Sequence, residues 1–353
     1  MTEHATWPGP LAGLRVLDLT RVLAGPMTTQ FLGDLGAEII KVEPPGGDDT
    51  RSFPPHVGGE SHYFVGLNRG KRGVVLDLRT TDGAETLRRL ADACDVLVEN
   101  FRPGVMNRLG LGPAALMARN PRLIWCAISG FGADGPLRDE PSFDIVTQAL
   151  TGVMSVNGPE GGPPTKLGLP VGDMSGAIFG AVSILAALHE RHATGRGRLI
   201  DVSLYDGTMS LLAHFAQLPA LTGADPAPMG SRHPSVVPYD AFPARDGTVV
   251  IACLADRFWP RLCAALESPD LAADPRYATT ASRREHRWNP ASLSSPRLAR
   301  WRSSPHGCAD RTCRTPPFSA SAPHWRIPTP PRAAWWRTWR TPPPACCACS
   351  AAR

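Results

Sequence analysis

Arg15-Val16-Leu17-Asp18-Leu19 is a short apolar run that leads into Ala24-Gly25-Pro26. A run of this length between turn residues reads as a strand. Pro26 suits the first turn of a helix, where its missing N–H would have no partner anyway. The helix is expected from about Met27 to Leu35, ending at Gly36, and Glu38–Val42 (EIIKV) is a second strand. Working outward, Gly73–Leu78 (GVVLDL), Asp95–Val98 (DVLV) and Leu123–Ile128 read as three more strands. Thr81-Asp82 caps a helix to about Ala93 with Leu87 and Leu90 on one face. A long helix at about Ser175–His192, a strand at Arg198–Leu204 and a helix at Tyr205–Ala216 follow. This alternation predicts an α/β fold: an open Rossmann-like parallel sheet with helices on both faces.

Gly223–Ser235 is rich in Pro and Gly and reads as a linker. Beyond it, Ala241-Phe242-Pro243, a turn at Arg245-Asp246-Gly247 and Val249–Cys253 read as a hairpin opening a smaller α+β domain. The expected organisation is a large α/β domain over residues 1–225, an incomplete small domain over 226–287 and a tail over 288–353.

Charge divides along the same boundary. The chain of 353 residues carries +5, but the last 66 residues hold ten Arg, no Lys and one acid, Asp310. That tail is +9, which leaves −4 for residues 1–287. A nucleic-acid-binding body is therefore not indicated by the basic balance. No apolar run is read as long enough to span a bilayer, and Met1–Pro10 lacks a basic-then-apolar leader pattern. The reading is a cytoplasmic protein with no membrane partner. Cys94, Cys126, Cys253 and Cys263 are scattered and read as reduced, buried thiols. No metal is expected: His189 and His192 end a helix beside Arg191, a cationic terminus rather than a ligand pair. No G-x-G-x-x-G, Walker-type or G-x-S-x-G motif is present.

The stretch that carries chemistry is Gly168-Leu169-Pro170-Val171-Gly172-Asp173-Met174-Ser175-Gly176, leading into the long helix. On the plainest account Asp173 or Ser175 caps that helix. On the chemical account, a carboxylate at a helix N-terminus stays ionised and acts as a covalent nucleophile among small neighbours.

Four blocks carry a family resemblance. They are Gly13–Asp18 with Val22–Pro26; Leu35–Glu43; Asn68–Leu78 with Asp95 through Glu99-Asn100-Phe101-Arg102-Pro103-Gly104 and Arg108; and the Asp173 segment with Thr194–Gly197. In this order and spacing, over about residues 11–287, the chain resembles the family III CoA-transferases (CaiB/BaiF family), which include formyl-CoA transferase and carnitine CoA-transferase. The resemblance implies acyl-CoA and a small carboxylic acid as substrates, coenzyme A as the carried group, no metal and a homodimer. It makes Asp173 the nucleophile. Each tetrahedral intermediate on the way to its acyl anhydride and CoA thioester would need oriented N–H donors, and the turn around Gly172 and Ser175 is the place to look for them. It assigns the nucleotide site to Leu23 and Ala24 in the Val-x-Ala-Gly-Pro turn, to Leu76 and Arg79, to Asn100, Phe101 and Arg102, and to Arg108 as a phosphate contact. Pro44 and Ser129 depart from formyl-CoA transferase, which argues against oxalate as acceptor. Arg232-His233-Pro234-Ser235 through Asp246-Gly247 looks more like members using succinyl-CoA or other short acids.

The α-methylacyl-CoA racemases share the implied fold and move a proton with an Asp and a His. Their Asp matches Asp173, but their His falls at Phe143, before Asp144-Ile145. Phenylalanine cannot move a proton, so the transferase ranks first. An inactive gene remnant is the third reading.

The tail invites two sharp ideas, an aromatic nucleic-acid platform at Trp335-Trp336 and a metal site at Cys346-Cys347-Ala348-Cys349. Neither has apolar periodicity to support a fold. Val is absent there, and Ile327, Leu293 and Leu298 are its only other branched aliphatics. Trp and Cys codons both begin TG, so a shifted frame turns its six Trp and five Cys into Leu, Met or Val. The tail is therefore read as out-of-frame translation from about Arg287–Asn289 and is expected to be disordered.

Overall fold

The computed structural model describes residues 9–244, 247–266, 268–286 and 288. Arg245 and Asp246 of the expected turn, and the tail from residue 289 onward, lie outside the described residues.

The strands among the described residues are β1 (Arg15–Asp18), β2 (Glu38–Glu43), the short pair β3 (His56–Val57) and β4 (Glu60–Ser61), β5 (Arg72–Val75), β6 (Val96–Glu99), β7 (Ile124–Ser129), β8 (Leu199–Ser203), β9 (Tyr239–Ala244) and β10 (Gly247–Ala252). The helices of the first part are α1 (Ala24–Asp34), α2 (His62–Asn68), α3 (Thr81–Ala93), α4 (Val105–Arg108), α5 (Pro113–Arg119), α6 (Asp144–Leu150), α7 (Val153–Val156), α8 (Val171–Thr194), α9 (Leu204–Leu211) and α10 (Leu218–Thr222).

Six strands form one sheet in the order β5-β2-β1-β6-β7-β8, and every pairing is parallel. The alternating side chains explain why these strands read as nearly continuous apolar runs. Val16, Val96, Val98, Ile124, Cys126 and Ile128 face α1 and α8. Leu17, Leu97 and Trp125 face the layer that holds Leu87 of α3 and Leu116 of α5. The expected open parallel sheet covered on both faces is what the structure has. Its strand order reverses between β1 and β6, and in open α/β sheets ligands bind in the crevice outside the strand ends at such a point.

Several helix boundaries differ from expectation. α1 begins at Ala24, three residues before Met27, and α9 ends at Leu211, five residues before Ala216. α3 is capped by the Thr80 hydroxyl, which accepts from the Gly83 N–H, so the cap lies one residue earlier than Thr81. α8 begins at Val171, four residues before Ser175, because Gly172 and Asp173 continue the helical turn. At 24 residues and a mean hydropathy of 1.7 over its best window, α8 is long and apolar enough to cross a bilayer, contrary to the expectation that no run reaches that length. In this fold half of that window is buried, against the sheet, α1 and α9. Gly176 permits the approach to α9, since a Cβ there would stand 2.2 Å from Leu204 Cδ2.

The chain divides into two compact units. In the described residues, the first comprises residues 9–154 and 166–225 and the second residues 155–165 and 226–288. The second unit holds the antiparallel pair β9–β10 with α11 (Trp259–Ala265), α12 (Pro269–Ala273) and α13 (Thr280–Glu285). Its core gathers Cys253, Trp259, Cys263 and Leu266 around a fully buried Arg283. The Arg283 guanidinium donates to the Val237 and Tyr277 carbonyls and to Asp256, and it lies 4.7 Å from the Trp259 ring centroid. Trp288, the first residue of the Arg- and Pro-rich stretch, is buried in this core, edge-on to Trp259.

Candidate functional site

The ends of β1 and β6 build one side of the site. Asn100, just after β6, accepts from the Arg21 N–H and donates to the Arg21 carbonyl, both at 2.8 Å. This two-bond clasp ties the loop after β1 to the loop after β6 across the crevice. Val22, the next residue, sits at φ 67°, a left-handed conformation that costs a β-branched residue of order 1–3 kcal/mol. Leu23 and Ala24 follow, both buried, at the start of α1.

Beneath this turn lies a buried ionic cluster. Lys71 Nζ donates to Asp18, Asn68, the Thr29 hydroxyl and the Pro26 carbonyl at 2.8–3.0 Å. Lys41 Nζ donates to the Thr20 carbonyl and pairs with Asp48 at 3.1 Å. Burial works against the Asp18 charge, but Lys71, Lys41 and the Thr20 and Thr29 hydroxyls outweigh it and hold the carboxyl below its usual range. Burial pushes the Lys71 ammonium the other way, down from its usual value, against the attraction of Asp18. The two lysines therefore grip carbonyls on both flanks of the Arg21–Gly25 turn.

A cavity of about 170 Å³ opens beside the turn, lined by Leu19, Arg21, Val42, Leu76, Arg79 and Phe101 among others. Leu76, Arg79 and Phe101 are thus brought together as expected. Leu23, Ala24 and Asn100, expected at the same site, do not line this cavity, and the Asn100 amide is engaged by the Arg21 backbone. Arg79 is not a free cation: its guanidinium forks onto Asp77 at 2.8 and 2.9 Å. That pair holds the Asp77 carboxyl down at about 2. Arg102 and Arg108 do not line this cavity. Arg102 is exposed beside a second cavity of about 120 Å³ that also touches Glu99, Trp125 and Asp201. Arg108 is exposed at the end of α4. Glu99 accepts from the Phe101 N–H at 2.8 Å, and burial pushes its carboxyl up to about 7.

Asp173 lies in the first turn of α8 and is half-buried. It does not cap the helix; the N-cap is Pro170, which offers no side-chain bond to the turn. Among the described residues, no hydrogen bond to the Asp173 carboxyl is formed. Burial, reinforced by the nearby Asp144 charge, raises it to about 6. The expectation was a carboxylate kept ionised by the helix terminus; desolvation and a like charge raise it, yet it stays mostly ionised at pH 7.

Asp144 is a site residue in its own right, which sequence reasoning misses. It stands in the first turn of α6, and one carboxylate oxygen accepts from the Gly172 N–H at 2.8 Å. The other accepts from Gln148, whose amide also binds the Leu167 N–H and the Leu169 carbonyl. Together they set the course of the segment that delivers Asp173. The Gly172 N–H is therefore not available as an oxyanion donor. Ser175 is not either, being fully buried with its hydroxyl on the Gly172 carbonyl and Thr208. Tyr63 of α2 is a second neighbour that the sequence does not reveal: burial and then the charges of Asp173 and Asp144 raise its phenol. No sequence signal marks either, since both are set by folding together distant elements. The Asp173 carboxyl is expected to lose its charge as the pH falls through about 6. Carbon-13 NMR of aspartate-labelled protein, titrated from pH 4 to 8 and assigned with Asp173→Asn, checks this.

The CoA-transferase family III model matches residues 11–306, which takes in the sheet, α8 and the second unit. The acetyl-CoA:oxalate CoA-transferase of Acetobacter aceti is 46% identical over 284 residues, 80% of this chain and 73% of that protein. The succinyl-CoA:mesaconate CoA-transferase of Haloarcula hispanica is 47% identical over 275 residues, 75% of this chain and 69% of that protein. The crystal structure of a CaiB/BaiF family protein from Brucella suis superposes with a TM-score of 0.75 at 39% identity, covering 84% of this chain and 79% of that one. The family model, the relatives and the solved structure agree along most of the described chain, and it belongs to CoA-transferase family III.

Proposed function

We propose that this chain moves CoA from an acyl-CoA to a short free carboxylic acid, with Asp173 as the covalent nucleophile. The observation that carries this is an Asp173 carboxyl that is half-buried, unbonded among the described residues and raised to about 6. At pH 7 roughly nine-tenths of such a group is ionised, and it is more basic than an ordinary aspartate. It is therefore a better nucleophile than a solvated carboxylate.

The carboxylate attacks the thioester carbonyl and expels the CoA thiolate, leaving an aspartyl–acyl anhydride. The thiolate attacks the aspartyl carbonyl of that anhydride, giving an aspartyl-CoA thioester and releasing the first acid. The acceptor carboxylate then attacks the aspartyl carbonyl and frees the thiolate again. Attack of that thiolate on the acceptor's acyl carbon forms the new acyl-CoA and restores Asp173. Every step exchanges one oxygen or sulfur nucleophile for another, so no proton has to be removed from carbon.

The nucleotide end of CoA is placed in the crevice between β1 and β6, against Leu76 and Phe101. Relatives named for oxalate and mesaconate support a short dicarboxylic acid as acceptor. An exposed apolar row on α8, Ile178, Phe179, Val182 and Leu185, supports a homodimer. The test uses a labelled free acid with an unlabelled acyl-CoA in deuterated water. Label is expected in the CoA thioester, without exchange of the α-proton. Rapid α-exchange without label transfer would instead point to racemase chemistry and defeat this reading.

A further inference from the structure

We propose that Arg21 is the guanidinium that binds a phosphate of CoA's nucleotide end, in place of Arg79. This rests on the reading that CoA occupies the crevice between β1 and β6. Two guanidinium groups reach the 170 Å³ cavity there, and their states differ. Arg79 gives two of its five N–H groups to the two oxygens of Asp77, a fork-on-fork pair that offsets its charge. Among the described residues, the acid paired with Arg21 is Asp49, at 3.9 Å, and both side chains are exposed, 43% and 69%. An exposed pair at that distance is weak. A phosphate offers a guanidinium two oxygens in matching geometry and more charge.

The backbone around Arg21 is built to hold it in place. Asn100 clasps its N–H and carbonyl. Asp18 accepts from the Thr20 N–H and hydroxyl, while Lys41 holds the Thr20 carbonyl. Val22 is kept in a left-handed conformation immediately after it. A surface arginine needs none of this support. Its guanidinium carbon lies 5.5 Å from the Phe101 ring centroid, so the cation and an aromatic face share the cavity mouth. An apolar cavity with an aromatic ring and an open guanidinium fits a purine nucleotide bearing phosphate.

Calorimetric titration of the full chain with CoA and with 3′-dephospho-CoA tests this, comparing wild type with Arg21→Gln, Arg21→Lys and Arg79→Gln. Arg21→Gln is expected to weaken CoA by about tenfold or more, and Arg21→Lys by less, since it keeps the charge but loses the fork. Arg79→Gln should stay within about threefold of wild type, because its guanidinium is already engaged. A loss seen with CoA but not with dephospho-CoA assigns the contact to the ribose phosphate; an equal loss with both assigns it to the diphosphate. Either outcome supports the proposal. CoA binding by Arg21→Gln within twofold of wild type, or a larger loss for Arg79→Gln, overturns it. Wild type that binds no CoA would instead overturn the reading of the crevice itself. Unchanged melting temperatures in all three variants exclude loss of fold as the cause.

Discussion

Asp173→Asn is expected to lose CoA exchange by at least about 10³-fold and yet to be more stable than wild type at pH 8. The first effect follows from the chemistry: an amide cannot attack a thioester and leave again as a carboxylate. Asp173→Ala should be equally inactive. The second follows from the environment of the carboxyl, which burial and Asp144 raise from 3.8 to about 6. A carboxyl raised in the folded state binds its proton more tightly there than in the unfolded chain. The stability it contributes is therefore full below about pH 3.8 and is lost as the pH rises through about 6. Asparagine stays neutral and loses nothing. After allowance for solvent screening of a half-buried group, the gain at pH 8 is about 1 kcal/mol, or a few degrees in melting temperature. The gain should shrink toward zero near pH 4. Melting curves at pH 4 and pH 8, run beside exchange assays, check both effects. Turnover above background in either variant would remove Asp173 from its role. A variant less stable than wild type at pH 8 would show that the carboxyl supports the fold rather than straining it.

Much of this protein is legible in its sequence, and what is not has a common cause. The six parallel strands are visible because both faces of the sheet are covered, which makes each strand an apolar run bounded by turn residues. Sequence places the start of α8 too late because Gly172 is a poor helix former and Asp173 resembles a cap. Their neighbours, the Asp144 carboxylate and the α6–α8 packing, continue the helix to Val171. Asp173 itself is legible from its segment. Its charge state is not, because that state is set by burial and by Asp144, 29 positions away. The same holds for Arg79. Only the folded chain shows that Asp77 occupies it, although the two are neighbours in sequence. Arg21 sits inside one of the quoted motifs, and what marks it is the clasp from Asn100, which no local pattern reports.

Lys71→Met should be the most damaging single change outside the nucleophile, destabilising the fold by about 3–5 kcal/mol. The side chains of Lys71 and Asp18 are 2% and 0% exposed, so neither can recover water when its partner is removed. Without the ammonium, Asp18 keeps its bonds to Thr20 and Thr29 but faces low-dielectric surroundings with only Lys41 to balance it. The Asn68 side chain and the Pro26 carbonyl also lose a donor. Asp18→Asn should cost less, because the Lys71 ammonium it strands is already pushed down by burial and sheds its proton more readily than Asp18 gains one at pH 7. Combining the two, Asp18→Asn with Lys71→Met, should recover part of the loss, since the cost lies chiefly in stranding one charge. The pH dependence has a definite sign. Asp18 is held below its usual range, so its contribution is present above the unfolded carboxylate value and is lost as the pH falls through the lower folded value. Wild type should therefore weaken in acid more steeply than Asp18→Asn. Urea unfolding at pH 7 and pH 4 measures all three variants. Because Lys71 also holds the Pro26 carbonyl beside the Arg21 turn, any Lys71→Met protein that remains folded should bind CoA more weakly than wild type. If Lys71→Met unfolds at the same urea concentration as wild type, Lys71 is not what secures the turn, and the rigidity of Arg21 must come from Asn100 and the Asp18 and Lys41 bonds to Thr20.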